Sequence, residues 1–217
     1  MASTTRQKIR VPSQKRGQVA LDTLLDVGEE LLAKDGFEGF TMSELSRRTG
    51  VSNGAMYWRF ENKEALVYAV LERYNGRWET HLDRLRDTSR WEGRPLDEVV
   101  AGAAREIAAV FLIDAPLMRA LCLAAGHVPG ISDAAAQNIA QTQDVFCAML
   151  EPHLVSAGHP APHQAAADVF EVIQAAMGGR ITWPEYFVAG AELDRFADRI
   201  CAMAATAVEA DIAAVSA

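Results

Sequence analysis

Residues 41–63, TMSELSRRTGVSNGAMYWRFENK, are the stretch that decides the fold of this 217-residue chain. They contain two helical runs of about two turns each, joined across residues 49–52, and such a pair is typical of a helix-turn-helix. Gly50 permits the sharp turn between the two runs. The apolar residues expected to fix the angle between the helices are Leu45, Val51, Met56 and Phe60.

Polar residues mark where these helices begin. Thr41 and Glu44 predict a capping box, in which the hydroxyl and the carboxylate each accept a hydrogen bond from the other residue's backbone N–H. Ser52 predicts the N-cap of a recognition helix over residues 53–60. Asn62 predicts the N-cap of the long helix that follows.

The rest of the sequence predicts an all-α protein. Apolar residues at helical spacing predict a first helix from about Gly17 to Lys34, which Gly36 would end. The chain is rich in alanine and poor in the β-branched alternation of strands. After a break at residues 89–95, further helices are expected near 96–113, 116–126, 132–150, 162–182 and 191–213. The expected organisation is a flexible basic arm (1–15), a three-helix helix-turn-helix domain (16–62), a connecting helix (63–88) and a helical-bundle domain (89–217).

Charge is distributed unevenly along the chain. The net charge is −8 overall, but residues 1–63 carry a net +2 and residues 64–217 a net −10. A polyanion responds to the local charge, so the acidic total does not exclude a nucleic acid as partner. With no apolar run long enough for a membrane span and three widely spaced cysteines, we expect a cytoplasmic protein without disulfides.

Three segments carry a family resemblance: FEGFT at 37–41, LSRRTGVS at 45–52 and MYWRFENKEAL at 56–66. Over roughly residues 16–75 the sequence resembles the tetracycline-repressor (TetR) family of transcriptional regulators. The resemblance implies a DNA-binding head and a helical bundle that dimerises and holds a small-molecule effector. It also implies that Tyr57 and Lys63 contact DNA phosphates. The residues it places at base edges are Ser43, Asn53, Gly54 and Ala55.

The residues themselves suggest how the DNA would be read. Asn53 can pair bidentately with adenine, and Arg59, expected to point away from the core, can reach guanine or a phosphate. Gly54 and Ala55 have almost no side chain, which favours readout of DNA shape. The basic arm can enter the minor groove, or be a solvated tail. The full predicted DNA-binding set is Thr41, Ser43, Ser52, Asn53, Gly54, Ala55, Tyr57, Trp58, Arg59 and Lys63.

The acidic half has no fixed motif, so its sites are predicted from residue types. Bulky, adaptable side chains with a few polar groups indicate a pocket for a mostly apolar effector, although each is also an ordinary core residue. These candidates are Phe111, Met118, Leu121, Cys122, His127, Phe146, Met149, Trp183 and Tyr186. Small residues on the last two helices indicate either a homodimer interface or an intramolecular core. The residues expected to be buried between two copies are Phe170, Ile173, Met177, Phe196 and Ile200.

Other chemistry is weakly supported by the sequence. His153, His159 and His163 lie among prolines, so their convergence on a metal is unsupported, and Cys122 with His127 lacks a third catalytic group. We therefore predict no enzyme, no cofactor and no metal site. The predicted function is a ligand-responsive repressor that binds a palindromic double-stranded DNA operator as a homodimer. The alternative is a DNA-binding dimer without a small-molecule pocket, regulated by a protein partner or not at all.

Overall fold

The computed structural model describes residues 15–186 and 192–216. These residues form nine α-helices and two short 3-10 helices, Thr88–Arg90 and Pro184–Tyr186, which confirms the predicted all-α class. The basic arm, apart from Lys15, lies outside the described residues. The α-helices are α1 (Lys15–Gly39), α2 (Met42–Thr49), α3 (Asn53–Arg59), α4 (Lys63–Arg86), α5 (Leu96–Leu112), α6 (Ala115–Ala124), α7 (Ile131–Ser156), α8 (Pro162–Thr182) and α9 (Leu193–Ser216).

The chain divides into two compact units, and α4 and α7 each contribute residues to both. The first unit comprises residues 1–76 and 115–136, and in it α1 packs against α6 and α2. The second comprises residues 77–114 and 137–217, and in it α5 packs against α9 and α8. Fully buried side chains of the first unit include Leu24, Leu32, Leu45, Met56, Phe60 and Leu66. Those of the second include Leu85, Val99, Phe146, Leu154, Phe170 and Ile173.

The predicted helix starts of the first unit are confirmed, with one exception in the capping box. The Thr41 hydroxyl accepts a hydrogen bond of 3.1 Å from the N–H of Glu44. The predicted hydrogen bond from the backbone N–H of Thr41 to the Glu44 carboxylate is not formed. The carboxylate instead accepts two hydrogen bonds from the Arg47 guanidinium, at 2.8 and 2.6 Å. Ser52 accepts from the N–H three residues on at 3.3 Å, and Asn62 does so at 2.8 Å.

Two helices continue past the residues expected to end them. In α1 the left-handed backbone of Gly36 (φ 69°) interrupts the helical geometry, and helical structure then continues to Gly39. The prediction that α7 ends near residue 150 is wrong, because the helix runs through Pro152 to Ser156. Packing of the last turn explains the extension, since Leu154 is fully buried and a turn ended at the proline would expose it.

The segment between α4 and α5 is a packed corner of the second unit. Trp91 is buried, and its indole N–H donates to the carbonyl of Leu85 at 3.2 Å. A Cβ atom at Gly102 would lie 2.9 Å from the Trp91 ring, so the glycine permits the ring to approach α5.

Beside this corner, the buried carboxylate of Glu106 contacts residues from α4 and from the segment between α4 and α5. Glu106 of α5 lies 2.9 Å from Nδ1 of His81 and accepts hydrogen bonds from Arg90 at 3.0 Å and Arg84 at 3.4 Å. His81 and Arg84 belong to α4, so the carboxylate links the end of that helix to α5. Sequence reasoning did not identify this cluster.

The cysteines differ in accessibility. Cys122 on α6 is exposed, whereas Cys147 and Cys201 are buried. Burial raises the pKa of the Cys201 thiol to about 11 and also raises that of Cys147, with Glu151 and Asp144 adding to the second shift.

Within the described ranges, no single helix has both the length and the hydropathy of a membrane span, and only the consecutive helices α5 and α6 taken together meet that test.

Candidate nucleic-acid interface

Helix α3 presents one face to solvent and the other to the core of the first unit. Met56 and Phe60 are fully buried, whereas Tyr57 and Trp58 are 52% and 55% exposed. The residues of its first turn and its cap, Ser52, Asn53, Gly54 and Ala55, are all exposed. A helix that displays a short-chained first turn and two adjacent aromatic rings can approach base edges closely in a major groove.

The turn between α2 and α3 is fixed by local hydrogen bonds. Gly50 adopts a left-handed conformation (φ 69°) and its N–H donates to the carbonyl of Ser46. The Ser46 hydroxyl donates to the carbonyl of Val51 at 2.7 Å, and the Thr49 hydroxyl donates to that of Leu45 at 2.8 Å. These bonds satisfy the backbone groups of the turn and so define the angle between the two helices.

Arg59 is buried, and the expectation that it points away from the core is wrong. It is 9% exposed, and its Nη1 atom is buried without a hydrogen-bond partner. The reason is helical phase, because Arg59 follows the buried Met56 by three residues and therefore lies on nearly the same face. Tyr57 and Trp58 fall at other angles and reach solvent. The spacing from Met56 is the signal that would have predicted this position.

Lys63 is the first residue of α4, and its ammonium group lies over two aromatic rings. Its Nζ atom is 4.5 Å from the ring centroid of Phe37 and 4.5 Å from that of Phe40. Burial lowers the pKa of Lys63, and the nearby carboxylates of Glu64 and Glu38 act against that shift. An ammonium at a helix N-terminus, where free amide N–H groups also point outward, is suited to bind a phosphate.

The remaining predicted DNA-binding residues, Thr41 and Ser43, are exposed at the start of α2. The arginines of that helix are engaged within the unit, since Arg47 pairs with Glu44 at 2.6 Å and Arg48 pairs with Glu30 of α1. Both arginines are therefore partly neutralised, in contrast to Lys63.

The nine predicted effector-binding residues are divided between the two units. Met118 and Leu121 of the first unit are buried, whereas Cys122 and His127 are exposed. In the second unit, the ring centroid of Phe111 is 6.5 Å from that of Trp78, and that of Phe146 is 5.8 Å from that of Phe170. Met149, also in the second unit, is buried as well.

Two members of that set are not enclosed. Trp183 and Tyr186 are 51% and 81% exposed, and their place in an effector pocket stays a prediction. They lie in and just before the short helix Pro184–Tyr186, beyond the end of α8.

The residues predicted for a dimer interface mostly belong to the protomer core. Phe170, Ile173 and Met177 are buried inside the second unit, and only Phe196 and Ile200 are half-buried. These three side chains are already covered within one protomer, and the part that the five residues play between two copies stays a prediction. The large apolar side chains exposed on the same two helices are those of Val172, Met203 and Val215.

The histidines near α8 have protein partners. Nδ1 of His159 accepts a hydrogen bond of 3.1 Å from the N–H of Ala161, and its Nε2 is 3.7 Å from Asp211. His163 lies 3.1 Å from Glu151. Among residues 15–186 and 192–216, no three His, Cys, Asp or Glu side chains are grouped so that they could hold a metal ion.

Comparison with known proteins finds a family model that matches the helix-turn-helix. The family model of bacterial regulatory proteins of the tetR family matches residues 24–70. The HTH-type transcriptional repressor NemR of Escherichia coli strain K12 is 36% identical over 78 residues, which are 36% of this chain and 38% of the relative. The chain thus matches well under half the length of this curated relative.

Solved structures extend the likeness of fold over most of the chain. A bacterial regulatory protein in the tetR family from Rhodococcus RHA1 superposes with a TM-score of 0.65 at 16% identity, covering 87% of this chain and 96% of that one. The transcriptional regulator FadR from Bacillus subtilis, solved with stearoyl-CoA, gives 0.62 at 14% identity, covering 85% and 97%. Residues 24–70 thus match the sequence pattern of the tetR family of bacterial regulatory proteins, and most of the chain has the fold of solved regulators of that family.

Proposed function

We propose that the chain is a repressor that binds a palindromic operator as a homodimer and is released by a small, mostly apolar effector. The observation that carries the DNA-binding part is the exposed face of α3, with Asn53 in its first turn and Tyr57 and Trp58 beside it. Two such helices related by a two-fold axis would read half-sites about 34–36 Å apart. Such a regulator acts in the cytoplasm.

Substitutions of Asn53 and Lys63 by alanine are expected to weaken DNA binding in different ways. Asn53→Ala should cost about 1–3 kcal/mol at one base position of the operator, because a bidentate contact to one base is lost. Lys63→Ala should weaken binding to every sequence and reduce the salt slope by about one, because one phosphate contact is lost. Footprinting of the DNA that flanks the chain's own coding sequence would supply the operator for titrations at two salt concentrations.

Lys34→Ala is the matched control for the lysine, because Lys34 is an exposed lysine in the same unit, outside α3 and α4. Its salt slope should equal that of the wild type. An equal loss of affinity for all sequences in Asn53→Ala would contradict a base-reading role for Asn53.

The proposed dimer interface is the exposed face of α8 and α9, which combines apolar and small side chains. Val172 is 49% exposed and Met203 is 65% exposed, and the nearby Ala175 and Ala202 allow close approach of a second copy. Met203→Glu should dissociate the dimer at micromolar concentration, because the new carboxylate would be buried against the same carboxylate of the second copy. Sedimentation velocity would detect the change.

Leu123→Glu on α6 is the control, because it adds the same charge at a similarly exposed apolar position away from α8 and α9. A dimer that persists in Met203→Glu but not in Leu123→Glu would move the interface to the first unit.

The effector part of the proposal is supported by the buried aromatic and thioether side chains of the second unit and by the family. The relative FadR was solved with stearoyl-CoA, a ligand with a long apolar chain. An effector acts only to the extent that it binds the DNA-free state better than the DNA-bound state. A screen of apolar compounds for loss of footprint protection tests this, and protection that no compound relieves would favour a dimer regulated by a protein partner.

A further inference from the structure

Lys63 differs from three arginines of the first unit in how its charge is held. Arg47, Arg48 and Arg73 each have a carboxylate within ion-pair distance. For Lys63 no carboxylate of the described residues lies that close, and its ammonium lies instead against the rings of Phe37 and Phe40. The ammonium is therefore positioned without being neutralised, as a phosphate-binding group requires.

The two rings are anchored differently. Phe40 is 2% exposed, so the core of the unit fixes its orientation. Phe37 is only half-buried and depends on a further contact. That contact is the imidazole ring of His127, just beyond the end of α6, whose centroid is 5.6 Å from that of Phe37 with 17° between the ring planes.

We propose that Phe37 is a positioning residue for DNA binding: its ring holds the Lys63 ammonium at the start of α4 for a backbone phosphate, and His127 holds that ring by stacking on it. The inference rests on the proposed DNA-binding function and adds two residues that lie outside the helix-turn-helix helices. It also makes the turn after α6 a direct contributor to DNA affinity.

The physical basis is the conformational freedom of lysine. A free lysine side chain has many rotamers, and binding a phosphate must restrict them. Rings that hold the ammonium beforehand reduce that cost, and their negative faces stabilise the cation. Glu38 adjoins this arrangement, with its carboxylate 3.9 Å from Nδ1 of His127, but the rings rather than the carboxylate contact Lys63.

The test compares Phe37→Leu with Phe37→Tyr in the full-length chain. Leucine keeps most of the apolar volume and removes the aromatic face, whereas tyrosine keeps the ring. Because phosphate contacts do not depend on sequence, the probe is a fluorescent random-sequence duplex titrated at several salt concentrations. Phe37→Leu should weaken binding about three- to tenfold and lower the salt slope by about one, while Phe37→Tyr should retain wild-type values.

A double-mutant cycle with Lys63→Ala separates positioning from general destabilisation. Phe37→Leu should have no further effect in the Lys63→Ala background. His127→Leu should give a smaller loss, about two- to threefold, and His127→Phe should restore wild-type affinity because it preserves the stacked ring.

Three outcomes would overturn the inference. The first is an equal loss from Phe37→Leu with and without Lys63, and the second is wild-type binding by both Phe37→Leu and His127→Leu. The third is wild-type binding by Lys63→Ala itself, which would overturn the phosphate contact along with its positioning. Failure of the wild-type chain to bind any duplex would instead overturn the proposed function on which the inference depends.

Discussion

Replacement of Glu106 by glutamine should lower the free energy of unfolding by about 2–3 kcal/mol, because it weakens the charge-assisted hydrogen bonds made by a buried carboxylate. The carboxylate accepts hydrogen bonds from Arg84 and Arg90 and lies 2.9 Å from Nδ1 of His81. An amide provides one acceptor oxygen instead of two and places an NH₂ group beside either the half-buried imidazole of His81 or the arginines. The two arginines reach solvent and can rehydrate, which keeps the expected cost below that of a fully buried ion pair.

Glu98→Gln is the matched control on the same helix. Glu98 also faces an arginine, Arg94, but at 3.9 Å and with both side chains more than half exposed. Its substitution should change the unfolding free energy by less than about 0.5 kcal/mol. Urea unfolding followed by circular dichroism measures both variants, and equal stability losses would show that the Glu106 cluster contributes no more than a surface pair.

The difference in unfolding free energy between the wild type and Glu106→Gln should depend on pH. Burial by itself raises the pKa of the Glu106 carboxyl, but the hydrogen bonds from His81, Arg90 and Arg84 outweigh it, so the pKa lies below its ordinary value. A carboxyl with a lowered pKa stabilises the fold above its unfolded pKa, and the contribution is lost as the pH falls through the folded pKa. The difference between wild type and Glu106→Gln should therefore be full at about pH 7 and shrink below about pH 4.

Replacement of Ala55 by glutamate should weaken DNA binding by more than about 100-fold without lowering stability. Ala55 is exposed in the first turn of α3, so a carboxylate there would face the phosphates of a docked duplex. The same residue lies three positions after the Ser52 cap, where a glutamate completes a capping box, so the melting temperature should stay constant or rise. A substitution that preserves the fold and abolishes binding isolates the role of this surface.

Ala136→Glu controls for the change in net charge. Ala136 is exposed on α7 and belongs to the first unit, but it lies outside the helix-turn-helix. Electrophoretic mobility shifts with the footprinted duplex should show near wild-type binding for this variant. Equal losses in the two variants would mean that net charge, rather than contact at the first turn of α3, governs affinity.

The helix-turn-helix could be predicted because its boundaries are set by local interactions. Ser52 and Asn62 cap the helices that follow them, and Gly50 adopts the left-handed turn that its position indicates. Each of these features depends on residues within one helical turn of one another. The sequence alone is therefore enough to place them.

Burial on longer helices and long-range pairing could not be predicted in the same way. The burial of Arg59 follows from its spacing from Met56, but Phe170 was expected to lie at an interface and is buried within the protomer, because which face of a long helix is covered depends on its neighbours. The contacts of Glu106 with side chains 16 to 25 residues away leave no periodic signal in the sequence. The stacking of His127 on Phe37 joins positions on α1 and beyond α6, which only the packing of those helices brings together.

The unequal burial of the three thiols makes the native chain suitable for single-site fluorescent labelling. A maleimide reacts with an accessible thiolate, and at about pH 7 the buried, raised-pKa thiols of Cys147 and Cys201 supply almost none. Cys122 is exposed on α6, one short turn before His127. A dye attached there would report on the surroundings of that turn without any engineered cysteine, so the proposed DNA binding and the proposed release by an effector could be tested by fluorescence in the unmodified sequence.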